Sequence, residues 1–586
     1  MANDALMKEL TVREILAFFG SILGAERKYY FLAMIYAVGI GLLSLALPVS
    51  VQMLVNTIAN TGLTAPLVVL SITLFVLLLA AGLLNALRIH LMDMFGRRFY
   101  ARMVSEIALR SVYALNPFFI DYKMGSLFNR YFDIVIVQKT VPDLMIGGFT
   151  IVLQITVGFA LVSLYHPLFL GYTLVIAALI WLVWVIWGGR AIKSAVEVSH
   201  KKHATAAWLE GLGASNGFFK SERHIAEAMR RTDQVTGEYM DKHVKHFRNH
   251  FSQTVAFLLM YAAASAGLLG IGGWLVIQGE LTLGQLVAAE LVLSVAFFGL
   301  SQLGIYMAYF YELCAALEEL SLFYDVEQEA PVSNPQPVTG DASIEFVSAR
   351  GDARGLMATC DFSIPSGARV LGYAESHGIQ REVTNFLKRL ERPRSGYVTL
   401  GGQDIMGIAA HELRQKIIVL TRPSAIEMSI REYLMLSGDD VAAQDILEVL
   451  RIVDLDRAIA QLEDGLDTRI ASTGWPLTIT ETMQLKLAAA LIAKPRVLVL
   501  GALYDTMTGK SLLASLDELQ ARSETTIINF SARPRELGFS HYLYLGNEEQ
   551  RVLESFESLC KYANYEPCAA DQPLQNKAAM PLKSVE

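Results

Sequence analysis

The chain has 586 residues, of which 53% are hydrophobic and 18% are charged. This composition is too apolar for a soluble enzyme and favours a membrane protein that also has a soluble part. The formal net charge of −8 gives no general attraction to nucleic acid, so we expect no nucleic-acid partner.

The first part of the chain is predicted to be a membrane domain over residues 29–325. Residues 1–28 mix charged and apolar side chains, so we expect a cytoplasmic segment with an elbow helix and no cleaved signal. Long stretches without Asp, Glu, Lys or Arg then follow, and a span needs about 20 such residues. Six spans are predicted: two within 29–87, two within 144–189, and one each at about 252–277 and 283–311.

The distribution of lysine and arginine predicts the orientation of this domain. Between the spans, these residues occur only in the segments 88–139 and 190–248, while the three short connections carry none. Basic segments are retained in the cytoplasm. We therefore expect a multi-pass protein of the bacterial inner or plasma membrane, in contact with lipid, with both termini cytoplasmic and with long cytoplasmic helical extensions.

A few polar side chains fall inside the predicted spans. They are Asn85, Gln154, Glu290 and Gln302. Lipid cannot solvate such groups, so they face a partner helix or a wet cavity. Both interpretations stay open: these residues are candidates for an intramembrane functional role, or they form hydrogen bonds between helices.

The second part of the chain is predicted to be a soluble α/β domain. A proline-containing linker over 326–342 leads into a domain over 343–563, and residues 564–586 are expected to be a disordered tail. Strands are predicted at 344–347, 369–371, 497–500 and 525–529, and a helix at 381–390. The four cysteines form no CxxC pair and show no ligand spacing with histidine, so no metal site is predicted.

Several phrases resemble those of ABC exporter half-transporters. They are Phe118-Phe119 with Gly125-Ser126-Leu127 and Arg130, residues 281–288, Ser395-Gly396 with residues 401–405, Leu413-Arg414, residues 430–432 and residues 466–468. Residues 48–56, with Gln52, more narrowly resemble the first span of type I protein-secretion exporters. The resemblance implies an all-α membrane domain of six transmembrane helices fused to an α/β P-loop-type ABC ATPase-like domain.

The resemblance also implies an ATP site, but its side chains are missing. Counting from Gly367 or back from Ser395-Gly396 places the phosphate-binding lysine at Gln380. The next hydroxyl then falls on Arg381 and the last loop glycine on Ile379. Gln380 brings no charge, Arg381 cannot ligate a cation, and a β-branched residue lacks the backbone freedom of glycine. We therefore predict a degenerate phosphate loop.

The remaining family positions are substituted too. The resemblance places the adenine-stacking tyrosine at Gly351, the glutamine that senses Mg²⁺ near Arg422 and the acidic pair at Gly501-Ala502. The signature falls on Leu477-Thr478-Ile479-Thr480-Glu481, the following aspartate on Thr508, and the histidine on Ser531 or Ala532. Glu481 should repel phosphate. The sequence therefore predicts no catalytic residue, no metal ligand and no intact cofactor site.

Two functions are compatible with these substitutions. The first is a catalytically inactive, pseudo-ATPase half of an ABC exporter-type transport complex, with ATP and Mg²⁺ bound through a second half-transporter in a heterodimer or a homodimer. The second is a non-hydrolytic membrane scaffold or assembly subunit, in a homodimer or with the other subunits of an export or secretion complex. ATP sites in this family are shared between halves, so losing both the phosphate loop and the signature also weakens the partner's site. The shared sites thus favour the second function. The segments 118–130 and 209–220, which the resemblance implies couple the two domains, are retained and favour the first.

Overall fold

The computed structural model describes residues 19–20, 22–44, 46–60, 64–115, 124–351, 359–547 and 549–565. These residues belong to two compact units, Met1–Gln328 and Glu329–Glu586. The boundary between the units falls within the predicted linker, residues 326–342. Phe118-Phe119 and nearly all of the predicted tail lie outside the described residues.

Helices make up almost all of the regular secondary structure in the described residues of the first unit. Its α-helices are α1 (Arg27–Ser44), α2 (Ala46–Asn60), α3 (Thr64–Val112), α4 (Asp133–Asp143), α5 (Phe149–Ser163), α6 (Pro167–Ala214), α7 (Glu222–Ile277) and α8 (Leu283–Ser321). Six helical segments are long and apolar enough to cross a membrane, which confirms the predicted number of spans. The first of these runs over Gly24–Leu54 and the third over Leu127–Ser163.

The helices extend well beyond the predicted spans. The helix α6 has 48 residues and α7 has 56, which at about 1.5 Å per residue is more than twice the thickness of a bilayer core. The helical turns beyond the predicted spans, at the end of α6 and the start of α7, lie in the segment 190–248, which mixes apolar and charged residues. Long helical extensions are therefore confirmed.

The third span is interrupted rather than regular. A 3₁₀ segment, Met124–Phe132, leads into α4, and a π-helical turn, Leu144–Gly148, separates α4 from α5. Pro142 lies inside α4 and removes one backbone donor. Gly147 leaves room for Tyr306 of α8, because a Cβ atom there would overlap the tyrosine ring. The break therefore follows from Pro142 and from the close approach of α8.

The second unit is an α/β domain, as predicted. Its strands are β1 (Ile344–Arg350), β2 (Thr359–Ile364), β3 (Arg369–Ala374), β4 (Ser395–Leu400), β5 (Gln403–Asp404), β6 (Ile417–Leu420), β7 (Met428–Ser429), β8 (Arg469–Ile470), β9 (Val497–Leu500), β10 (Thr526–Phe530), β11 (His541–Leu545) and β12 (Gln550–Leu553). Its helices are α9 (His377–Leu387), α10 (Ala410–Lys416), α11 (Ile430–Met435), α12 (Ala443–Ile452), α13 (Asp456–Ala460), α14 (Ile479–Ala493), α15 (Gly509–Arg522) and α16 (Phe556–Tyr562).

The strands form two main sheets. The larger has the order β12-β11-β3-β10-β9-β6, in which only β12 is antiparallel to its neighbour. The smaller has the order β2-β1-β4-β5 and is antiparallel. The four predicted strands are confirmed. The predicted bounds of the helix at 381–390 are wrong, since α9 begins at His377, where Ser376 caps it, and ends at Leu387.

Candidate functional site

The sheet gathers the expected nucleotide positions at one edge. The strands β3, β6, β9 and β10 are parallel neighbours, so their carboxyl ends meet at the same side, where α/β folds bind ligands. Gln380 follows β3, Arg422 follows β6, Gly501 follows β9 and Ser531 follows β10. Gly351 lies instead at the end of β1 in the smaller sheet, and the segment 477–481 starts the helix α14.

The connection from β3 to α9 is short and closed by its own side chains. Only Glu375 and Ser376 separate the two elements, and the Ser376 hydroxyl accepts a hydrogen bond from the Ile379 N–H at 3.4 Å. The Gln380 N–H points back to the Ser376 carbonyl at 3.5 Å. These are the groups that a phosphate cradle needs free. The start of α9 is therefore arranged as a capped helix.

The two residues expected to meet phosphate point into the protein. Ile379 is 0% exposed and belongs to the hydrophobic core between the sheets and α9, and Gln380 is 8% exposed. A buried side chain at either place cannot contact a ligand outside without repacking the core.

A carboxylate occupies the loop itself. Glu375 accepts hydrogen bonds from the Tyr544 hydroxyl at 2.5 Å and from the backbone N–H of Asn547 at 2.9 Å. The hydrogen bond from Tyr544, and then that from Asn547, lowers the pKa of Glu375, so its charge persists at neutral pH. A fixed negative charge beside the loop opposes the binding of a triphosphate.

A second carboxyl lies against Gly351. Glu382 is 1% exposed, and its pKa is raised by burial and by the nearby charge of Glu391. A Cβ atom built on Gly351 would lie 1.6 Å from a carboxyl oxygen of Glu382 and 3.0 Å from the ring of Phe386. A stacking tyrosine at this position would have to displace Glu382.

The end of β9 is held by backbone and tyrosine contacts. The Gly501 N–H donates to the Leu420 carbonyl at 3.0 Å, and a Cβ atom at Gly501 would lie 3.1 Å from Thr421. Tyr504 is fully buried and donates to the Met483 carbonyl at 3.0 Å. An acidic side chain at Gly501 would therefore crowd the loop after β6.

Asp505, the first acidic residue in the sequence after Gly501-Ala502, forms hydrogen bonds with the loop that follows β10. Asp505 accepts hydrogen bonds from the backbone N–H groups of Ala532 at 2.9 Å and Arg533 at 3.3 Å. Burial raises its pKa, and these hydrogen bonds oppose that shift. Ser531 accepts from the Arg533 N–H at 3.1 Å, and Thr508 caps α15 through the N–H of Ser511.

The N-terminus of α14 is capped within the same chain. The Thr478 hydroxyl accepts from the Glu481 N–H at 3.2 Å, and the Glu481 carboxylate accepts from the Thr478 N–H at 2.7 Å. This capping box occupies donors that would otherwise attract an anion to the helix terminus. Arg422 is exposed, and its carbonyl accepts from the Lys486 ammonium at 2.7 Å.

The polar residues of the membrane unit have different surroundings. Asn85 accepts from the guanidinium of Arg88 at 2.7 Å, and Arg88 donates to Thr150 of the π-interrupted span at 2.7 Å. Arg88, which is 3% exposed, is thus buried between helices, so its charge is used in packing rather than in a solvated segment. Of the two interpretations left open by the sequence, Asn85 therefore fits the one in which it forms a hydrogen bond within the membrane unit.

The other three polar residues are less engaged. Glu290 is half-buried, and one of its carboxyl oxygens is buried without a hydrogen-bond partner among the described residues. Gln302 makes a long contact of 3.4 Å with Ser301, and Gln154 is half-buried on α5. Glu290 therefore keeps the free acceptor that a functional role would need.

An apolar cavity of 580 Å³ lies in the membrane unit beside the interrupted third span. Its walls come from the N-terminal helices, the π-helical turn and α8, with Tyr30, Met145, Tyr306 and Phe310 among them. The surface that lines the cavity is almost entirely apolar. Such a space fits an apolar ligand.

Fold and site together define a polytopic membrane protein that carries one ABC-type α/β domain. The family model for the ABC transporter transmembrane region matches residues 30–210. A bacterial Atm1-family ABC exporter solved with ATP bound has the same fold, with a TM-score of 0.79 over 92% of this chain and 96% of that chain, at 18% identity.

Curated relatives are similar over much of the chain. The ABC multidrug transporter mdr2 of Aspergillus fumigatus is 25% identical over 496 residues, which is 80% of this chain and 61% of that protein. The lactococcin-A transport/processing protein LcnC of Lactococcus lactis is 24% identical over 56% of this chain and 46% of its own length. The chain therefore spans less than two thirds of either relative.

Residues 30–210 thus match the ABC transporter transmembrane region, and the chain has the fold of an ABC exporter, with one six-helix membrane domain followed by one α/β domain.

Proposed function

We propose that this chain is the non-hydrolysing half of an ABC exporter-type transport complex, paired with a second half-transporter that supplies ATP hydrolysis. The observation that carries the proposal is the start of α9. There Ser376 caps the helix and Glu375 places a charge beside it, while Ile379 and Gln380 are buried. Each feature opposes the binding of a triphosphate.

The membrane orientation belongs to the same proposal. The helical extensions carry the basic residues of the segments 88–139 and 190–248, and basic segments stay in the cytoplasm. We assign these extensions, both termini and the α/β domain to the cytoplasmic side of a bacterial inner or plasma membrane. Transport is then outward, and the apolar cavity supports an apolar or amphipathic cargo.

A second function is favoured by one specific contact. The capping box of Thr478 and Glu481 puts a carboxylate where a partner's nucleotide would need hydrogen-bond donors. A partner would then bind ATP without the clamp from this chain, and its turnover would be slow. This contact supports a non-hydrolytic scaffold or assembly subunit, as a homodimer or within a larger export complex.

Nucleotide binding by the full-length chain in lipid nanodiscs tests the loss of the site. We expect no saturable binding of a fluorescent ATP analogue with Mg²⁺ in the micromolar range. Gln380→Lys should not restore it, because Glu375, the Ser376 cap and the missing metal ligands remain. Gln444→Lys, which adds the same charge at an exposed position of α12, is the matched control. Micromolar binding by the unmodified chain contradicts the proposal.

Purification from the native membrane separates the two functions. Co-purification of a second half-transporter with complete nucleotide-binding motifs, and ATP hydrolysis by that pair, supports the first. A self-dimer without hydrolysis, or a complex whose ATP turnover persists without this chain, supports the second. Steady hydrolysis by this chain alone contradicts both.

A further inference from the structure

A cluster of ionisable side chains lies on the parts of α6 and α8 that extend beyond the apolar spans. His200 stands on α6, ten residues beyond Arg190, where the apolar stretch has ended. Glu318 and Glu319 stand on the last turn of α8. Ligand atoms of these three residues all lie within 4.8 Å of one another.

The distances within the cluster suit a small cation. Nε2 of His200 lies 2.9 Å from Oε2 of Glu318 and 3.9 Å from Oε1 of Glu319. A metal ion about 2.0–2.2 Å from imidazole and carboxylate ligands holds neighbouring ligand atoms about 3.0–3.4 Å apart. Small side-chain movements therefore bring all three atoms to one ion.

An unpartnered oxygen points into this space. Glu319 is 0% exposed, and its Oε1 has no hydrogen-bond partner among the described residues. Its other oxygen accepts from Arg130 at 2.5 Å, which fixes the carboxylate so that Oε1 faces the imidazoles of His200 and His203. A buried carboxylate oxygen without a partner is costly unless a cation or proton completes it.

The surrounding charges leave a deficit of positive charge. Three carboxylates, those of Asp133, Glu318 and Glu319, are at most 5% exposed. Two permanent cations meet them: Arg130 binds Glu319, and Lys202 binds Asp133 at 2.9 Å. One of the three carboxylates, that of Glu318, therefore has no permanent cation among these ion pairs, and the His200 imidazole lies beside it.

The geometry points to a divalent transition-metal site of the Zn²⁺ class, formed by His200, Glu318 and Glu319. One imidazole with two carboxylates suits Zn²⁺, Mn²⁺ or Co²⁺ better than Mg²⁺ or Ca²⁺, which prefer oxygen ligands alone. Nε2 of His203 lies 2.6 Å from Oδ2 of Asp133 and 4.0 Å from Oε1 of Glu319. The pair of Asp133 and His203 therefore packs next to the three ligands and can help to hold Glu319 in place. His200 is 21% exposed, which gives an ion a route from solvent.

The site would join two helices of the membrane unit. His200 is separated from Glu318 by 118 positions, so an ion there ties the outer part of α6 to the end of α8.

The test uses the full-length chain without a polyhistidine tag, stripped with a chelator and reconstituted in detergent or nanodiscs. We expect one Zn²⁺ per chain by calorimetric titration, with an apparent dissociation constant of about 1 μM or lower. His200→Ala and Glu318→Gln should each weaken binding about 10-fold or more. His243→Ala, at an exposed position of α7, is the matched control and should leave binding unchanged.

A measurement on the unmodified chain guards against variants that fail to fold. X-ray absorption of the Zn²⁺-loaded protein should show only nitrogen and oxygen ligands at about 2.0–2.1 Å, with an imidazole among them. The absence of saturable binding overturns the site, as do sulfur ligands. Equal affinities of the His200→Ala and His243→Ala variants also overturn it, and the cluster then holds protons rather than a metal.

Discussion

The two units of the chain use their buried polar groups in opposite ways. In the membrane unit, charged groups on different helices meet each other, as Arg130 meets Glu319 and Asp133 meets His203. In the α/β unit, several polar groups at the expected nucleotide edge cap the helices that begin there, as Ser376 caps α9 and Thr478 caps α14, although Glu375 binds Tyr544 across the sheet. The first arrangement couples distant elements, whereas the second completes local ones. The two units therefore differ in whether their polar groups join distant elements or complete the start of a nearby helix.

The largest effect in this comparison is expected from placing a glycine in the first turn of α9, where the family has its last loop glycine. Ile379→Gly removes a fully buried side chain from the core and adds backbone freedom inside α9. We expect it to destabilise the α/β domain by about 3–6 kcal/mol, measured by denaturant unfolding followed through hydrogen exchange of the domain. Gly378→Ala, one residue earlier, is the control and should be neutral or stabilising. A neutral effect of Ile379→Gly would show that this residue is not part of the core.

A matched test in the membrane unit removes one charge from a pair between elements. Arg130→Met leaves a buried carboxylate of Glu319 without its cation, so we expect about 3 kcal/mol of destabilisation in chelator-treated protein. Arg97→Met breaks a pair with Asp93 whose side chains are 65% and 60% exposed, and should cost less than about 1 kcal/mol. Thermal unfolding of both variants in the same detergent gives the comparison. Equal melting temperatures would argue that the buried pair adds no net stability.

The cap of α14 should give a smaller effect. Thr478→Ala removes the hydroxyl that accepts from the Glu481 N–H, and loss of such a cap costs about 1 kcal/mol. Thr480→Ala, whose hydroxyl makes only a 3.5 Å contact with Thr506, should stay within about 0.5 kcal/mol. Denaturant midpoints of the two variants check the difference. If Thr480→Ala costs as much as Thr478→Ala, the capping box is not the stabilising feature.

Sequence reasoning reached the fold because the fold rests on long patterns. The apolar stretches at 29–87 and 144–189 predict spans, and the run Val497–Leu500 predicts a buried strand, since burial constrains many residues at once. The interruption of the third span was missed, because its cause includes the approach of Tyr306 from a distant helix. Periodicity within one segment carries no information about such a contact.

The candidate sites were predicted less completely. Counting along the sequence identifies Gln380 as the residue at the lysine position, but not that it is buried, nor that Glu375 binds Tyr544 across the sheet. The cap by Ser376 had a local signal, a serine three residues before Ile379, that could have been used. The cluster of His200 with Glu318 and Glu319 had no sequence signal, since its members lie far apart in the chain.

The smallest expected effect is a difference in pH dependence between the units. The folded pKa of Glu375 is lowered, so its hydrogen bonds stabilise the α/β domain above the unfolded pKa, and this stability is lost as pH falls through the folded pKa. For His200, burial lowers the pKa, but the hydrogen bond and charge of Glu318, with Glu319, more than offset this, so the pKa is raised. Its stabilisation is present below the unfolded value of about 6.5 and lost as pH rises through the folded pKa.

The two groups therefore predict opposite slopes that can be measured on one protein. In chelator-treated samples, the melting transition of the membrane unit should fall slightly as pH rises above about 6.5, and His200→Gln should flatten that slope. The α/β transition should fall as pH drops below about 4.5, less steeply in Glu375→Gln. Slopes of the same sign in both units, or slopes unchanged by both substitutions, would contradict the assignment.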